Sequence, residues 1–182
     1  MIFYPQFFAP IHQFSFAAKH GCIELYMDPV FTKNSKANQF EILGANAKHT
    51  LSLHLDRNTL KQPLDKVALS DQKDWRKSHL KTIETAYRKA AFYQFYDYKF
   101  HPLLELTSLY EAILKSYQLS FAALDLEIDL RWTNNRPNIT ETPNSQLKSY
   151  DQVFSDKLGF QADLCILDLI YNQGPMARDI LI

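Results

Sequence analysis

Glycine and cysteine are scarce in this chain, and neither sign of charge predominates. Only four glycines occur in 182 residues, none of them clustered, so a glycine-rich phosphate loop is excluded. The two cysteines, Cys22 and Cys165, lie far apart in apolar surroundings. A disulfide-held domain of this size would need more of them, so the expected compartment is the reducing cytoplasm. Twenty Lys and Arg balance twenty Asp and Glu, leaving no overall field to draw in nucleic acid or an anionic membrane surface. No stretch approaches the ~20 apolar residues of a membrane span. The apolar N-terminus is broken by Pro5 and Pro10, with no basic residue before it and no small-residue cleavage site, so it does not read as an export signal.

Metal-ligand spacing is also missing. No CxxC or HExxH occurs among the two cysteines and six histidines. His49 and His54 are an odd number of residues apart on an expected strand and so point to opposite faces. His12 and His20 lie two helical turns apart, roughly 12 Å, too far to share an ion. No metal and no cofactor is expected.

What is present is an ordinary globular composition, 46% hydrophobic and 22% charged, in a chain long enough to bury roughly 70% of its unfolded surface in one core. Ile2 to Phe8 reads as a strand, Pro10 to Lys19 as a helix, and Cys22 to Tyr26 as a second strand entered through Gly21. Asn38 to Leu43 and Lys48 to Leu55 form a hairpin, since Leu51, Leu53 and Leu55 alternate with Ser52 and His54 around a Gly44-Ala45-Asn46 turn. Val67 to Leu69 is a further short strand. From Asp74 to Ala91, Trp75, Ile83, Ala86, Tyr87 and Ala90 recur at helical spacing, and a second helix is expected from Leu103 to Leu119 with Pro102 in its first turn.

Glu127 to Trp132 reads as a strand, and 133–149, with Pro137, Pro143 and many polar residues, as a long surface loop. In the last helix, Leu164 to Gln173, Asp163 is the expected N-cap and Gly174 the left-handed stop before Pro175. The resulting expectation is an α+β fold: a single domain over 1–182, with a small mixed β-sheet packed against several α-helices and both ends of the sequence meeting in one core.

Several strings resemble the WbqC-like family: Tyr150-Asp151-Gln152-Val153-Phe154, Gly159-Phe160 and Leu164 to Pro175 near the C-terminus; Asp74 to His79 with Ile83, Tyr87 and Phe92-Tyr93 in the middle; and Pro5-Gln6, Phe8 to Ile11, Phe31-Thr32-Lys33 and Asn38-Gln39 near the N-terminus. They occur in family order. Two positions depart from the usual pattern, with Phe3-Tyr4-Pro5-Gln6 in place of a His-Gln-Pro triplet, and Ala37 and Gln39 where Arg is usual. The resemblance implies a link to surface-polysaccharide or cell-envelope biogenesis and a transferase acting on sugars or on acyl or aminoacyl groups. It carries no mechanism with it.

Two residues stand out as acid/base candidates. Asp168 lies in Leu164 to Tyr171, where apolar residues surround the helix on nearly every side, so its carboxylate must find a partner. His79 shares the inward helix face with Trp75, Ile83 and Tyr87, and imidazole suits proton transfer if it lines a cleft. Lys33, Asn38, Gln152, Asn172, Trp75 and Tyr87 are the substrate-binding candidates. Asp168 and Asn172 are expected to point toward His79 and the 33–38 segment in one polar cluster. The aromatic run from Tyr87 to Phe100 reads as core filling or as stacking platforms. Two functions remain open: a group-transfer enzyme taking a small-molecule activated donor or a sugar, and a non-catalytic accessory module that contacts an envelope-biogenesis protein. No nucleic acid and no membrane span enter either reading.

Overall fold

A computed structural model describes residues 1–32, 35–72, 74–137 and 147–182. The chain begins with β1 (Ile2–Phe3), α1 (Ile11–His20) and β2 (Cys22–Tyr26). β2 lies between β1 and β5 (Asp129–Thr133), with both pairings parallel. A separate antiparallel hairpin joins β3 (Gln39–Leu43) to β4 (Lys48–Ser52), with Gln39 opposite Ser52 and Glu41 opposite Thr50. The strand directions are therefore mixed, as expected for the α+β fold, but they are divided between two small sheets.

Helices pack around these sheets: α2 (Asp74–Tyr87), α3 (Tyr93–Phe100), α4 (Leu109–Ala123), the short α5 (Ser155–Leu158), α6 (Ile166–Gln173) and the terminal α7 (Ala177–Leu181). One continuous hydrophobic core runs from Phe3 to Leu181. No helix among the described residues is long and apolar enough to cross a membrane.

The two ends of the sequence meet at α1 and α6. Ile11 N–H donates to Leu164 O at 3.1 Å and Ile166 N–H to Ala9 O at 3.0 Å, so the entrances of the two helices pair as an antiparallel bridge. Ser15 Oγ adds a bond to Leu181 O at 2.7 Å. Pro10, the α1 N-cap, makes no side-chain cap of its own.

That vacancy decides the role of Asp163. Its Oδ1 accepts from the His12 amide at 3.0 Å and its Oδ2 lies 2.7 Å from His12 Nδ1. Asp163 thus caps α1 rather than α6, where Cys165 is the N-cap and makes no side-chain cap bond. The local rule correctly identified a capping residue but not the helix it serves, because Asp163 is left-handed, with φ 58°, and turns its side chain toward the neighbouring helix. Gly174 does stop α6 with positive φ (52°), and a Cβ there would meet the Phe92 ring at 2.4 Å.

Other boundaries move for local reasons. The first strand stops at Phe3 rather than running to Phe8, and the segment ends in a turn at Phe7 and Phe8, where φ is 43° at Phe8. Pro102 opens a 3-10 turn over His101–Glu105, and α4 starts six residues later than expected. There Ser108 accepts from the Glu111 amide at 3.3 Å, in the Ser-x-x-Glu spacing of a capping box. The aromatic run contains α3, which buries Tyr93 and Phe100 and exposes Phe95 and Tyr98. Most of the expected 133–149 loop lies outside the described residues.

Asp163→Ala is expected to lower stability by about 1 kcal/mol, the usual worth of an N-cap. Amide exchange locates the loss: faster exchange at His12, with α6 first-turn amides unchanged, is the expected result.

Candidate functional site

Burial on every side makes α6 the rigid centre of the molecule. Ile166, Leu167, Leu169 and Ile170 are fully buried, at about 1.5–3 kcal/mol each. This is enough to keep the helix seated even though it carries a carboxyl into the core. Asp168 is 1% exposed, and its Oδ2 accepts from Tyr150 Oη at 2.6 Å and Gln152 Nε2 at 2.8 Å. Gln152 is itself locked, its Nε2 also reaching Gln161 O at 3.0 Å while its Oε1 accepts from the Gln161 amide at 2.9 Å.

Burial is the largest influence on this carboxyl and raises its pKa, against a downward pull from Tyr150, Gln152 and, more weakly, Tyr87. Burial followed by the neighbouring Asp168 charge pushes the Tyr150 hydroxyl and the Cys165 thiol up. Cys165 is therefore a protonated thiol in the core, unsuited to nucleophilic attack.

Asn172 does not join this network. Its Nδ2 turns back one helical turn to Asp168 O at 2.7 Å. Tyr87 accepts from the Leu43 amide at 3.4 Å and belongs to the Asp168 side of α2. His79 lies two turns earlier on that helix and bonds elsewhere, with Nε2 at 3.0 Å from Ser52 O. The expected single cluster is thus divided into two, one at each end of the inner face of α2, and Lys33 lies outside the described residues. Asp168, Tyr150 and Gln152 form a network closed to solvent.

The His79 end opens into a cleft. Because its partner is a carbonyl, Nε2 must carry the proton, which fixes the neutral tautomer. Burial lowers its pKa most, opposed by the Ser52 and Trp75 backbone, with nearby His54 lowering it further. His54 stacks on Trp75 at 5.5 Å and lines a cavity of about 910 Å³ with Asn38, Ser52, Arg57, Ser70 and Asp71. Asn38 braces the wall, donating to Leu53 O at 2.8 Å.

The opposite wall is held from behind by Arg76, a buried guanidinium with no carboxylate partner among the described residues. Its Nη1 reaches Ser70 O at 2.7 Å and its Nε reaches Leu104 O at 2.6 Å, and it lies 4.5 Å over the Trp75 ring. Trp75 and His79 therefore back the cleft, while His54 and Asn38 face it. Sequence reasoning missed His54 as a site residue because, alternating with Leu53 and Leu55, it carries the signature of an ordinary solvated strand position. Its signal lies in space, as a second imidazole 6.3 Å from His79.

Taken together, the fold and site define an α+β protein with a closed polar network in its core and a polar cleft at its surface. The WbqC-like protein family model matches residues 5–147, most of the chain, and the protein belongs to that family. The match covers the N-terminal and α2 strings and ends before Tyr150, leaving the C-terminal strings outside it. No curated protein and no solved structure matches the chain.

Asp168 and His79, both buried, predict opposite pH dependences. A carboxyl with a raised folded pKa binds its proton more tightly when folded. Its contribution is present below the ordinary value of 3.8 and is lost as pH rises through the folded value. The stability difference between wild type and Asp168→Asn should therefore fall as pH rises above that point. For His79 the folded value is lowered, so the unfolded chain takes up the proton first and the contribution is lost as pH falls below 6.5. The difference between wild type and His79→Gln should accordingly rise with pH and level off above that value. Urea midpoints measured across pH check both.

Proposed function

We propose that this protein is a group-transfer enzyme that binds an activated sugar or acyl donor in the cleft beside His54, in the service of surface-polysaccharide or cell-envelope biogenesis. The observation that carries the reading is the pairing of imidazoles at the cleft wall: His54 faces the cavity while His79, neutral and tied to Ser52 O, fixes the wall behind it. Imidazole is the side chain best matched to proton exchange near neutral pH. His54 is the group placed to move a proton on a bound molecule, and His79 is a positioning residue. Asn38 and Arg57 supply an amide and a cation to the same wall. The envelope pathway and the donor classes come from the family resemblance.

Asp168 does not serve as a proton carrier in this reading, because a carboxyl held by Tyr150 and Gln152 in a closed core cannot meet a substrate. The non-catalytic alternative, an accessory module acting through a protein contact, is favoured by a different observation. Phe95 and Tyr98 on α3 and Met176 beyond α6 are large apolar side chains left about two-thirds exposed, at 64%, 65% and 64%.

A thermal-stability screen with sugar nucleotides and activated acyl donors separates the two. A donor present at a hundredfold excess over its Kd stabilises by about 2.7 kcal/mol. The enzyme reading expects such a shift for one donor class, retention of that shift in Asp168→Asn, and loss of turnover in His54→Ala. A shift equal in wild type and His54→Ala would place binding elsewhere, and no shift with any donor would favour the accessory module.

A further inference from the structure

A second cavity, of about 310 Å³, lies against the middle of the hairpin's polar face. Its floor is the cross-strand pair Glu41 and Thr50, and Gln6, Lys36 and Asp163 stand around it. Gln39, one pair further along the same face, lines both this cavity and the His54 cleft.

Backbone strain is concentrated around this cavity. Of the five non-glycine residues with positive φ among the described residues, Phe8 (43°), Lys36 (56°) and Asp163 (58°) all line it. A left-handed conformation is unfavourable for a residue with a Cβ, and such outliers gather at binding and catalytic sites, where surrounding structure holds them in place. Here the holding structure is visible. Phe8 is fully buried and its amide reaches Ser116 Oγ at 3.3 Å, while Asp163 is pinned by the His12 amide and ring.

The polar groups are oriented but not consumed. Gln6 Nε2 donates to Gln39 O at 2.8 Å, which fixes the amide and leaves its Oε1 without a partner among the described residues. The charges offset one another, with Lys36 opposite Glu41 in sign and Asp163 already paired with His12. Such a wall favours neither a phosphate nor a cation. It offers amide, hydroxyl and carboxylate groups together, a mixture that matches hydroxyls, which both donate and accept. Pro10 adds apolar surface suited to the C–H face of a ring. The volume is at the small end of the ~300–1,000 Å³ range of ligand pockets, room for one small ring rather than a nucleotide.

We infer that this cavity is a binding site for an uncharged, polyhydroxylated molecule of monosaccharide size, held by Gln6, Gln39, Glu41 and Thr50. The inference does not rest on the reading of the His54 cleft. If both hold, the two ligands lie along one hairpin face with Gln39 between them.

Saturation-transfer NMR on the full chain tests it, with a panel of free hexoses and N-acetylhexosamines as probes and inorganic phosphate as the charged control. The expected result is transfer to at least one free sugar and none to phosphate. Thr50→Val and Glu41→Ala, both at exposed hairpin positions, should each weaken that sugar about tenfold, equivalent to about 1.4 kcal/mol, with unchanged melting curves. His54→Ala should leave sugar binding intact. Absence of transfer to every sugar, binding that survives both hairpin variants, transfer to phosphate in place of sugar, or loss of sugar binding in His54→Ala would each overturn the assignment.

Discussion

The antiparallel bridge between Ala9–Ile11 and Leu164–Ile166 is the contact on which the rest of the structure depends. It brings together the entrances of two helices more than 150 positions apart in the sequence, and each satisfies backbone groups that the other leaves open. Helix N-termini expose amides that need acceptors. At α1, Leu164 O and the Asp163 carboxylate supply them; at α6, Ala9 O does. The segment that closes this bridge, 163–166, also receives the hairpin, because the Cys165 amide donates to Glu41 O at 2.9 Å. The parallel sheet side, the hairpin and the last helices are thereby locked to one point.

Once α6 is fixed there, Asp168 is carried into the core whatever the cost of its solvation. A carboxyl in that position is tolerable only if donors reach it, and Tyr150 and Gln152 arrive from the irregular segment before α5 to provide them. The consequence is a division of labour along α2. Its Tyr87 end borders a closed, structural polar network, and its His79 end borders solvent. That leaves the second end and the polar face of the hairpin, with Gln39, Glu41, Thr50 and Ser52, as walls of the two cavities.

Arg76 fastens the wall of the cleft through backbone carbonyls. Its guanidinium is buried and surrounded by carbonyls from the 70–72 and 104–106 segments, so one planar fork fastens the 70–72 loop to the end of the 3-10 turn. Charge-assisted bonds of this kind are stronger than neutral ones. The rigidity of the wall facing His54 follows from a side chain that never touches the cavity.

The sequence by itself determined the elements whose signals are local: the α1 and α2 stripes, the hairpin with its Gly44-Ala45-Asn46 turn, β2, and the stop at Gly174. It also determined that Asp168 and His79 are buried, since each sits on a helix face otherwise made of apolar residues. Periodicity and backbone permissiveness operate within a few residues, so they can be read from a few residues. Only the tertiary structure decided which buried groups meet. Asp163 could be recognised as a cap but not assigned to α1. Asp168, Asn172 and His79 could be recognised as needing partners but not separated into one closed network, one bond back along its own helix, and one bond to Ser52 O. His54 could not be recognised as facing a cleft. Hydrogen-bond partners and cavity walls come from chain segments brought together by folding, and no spacing along the chain encodes that proximity.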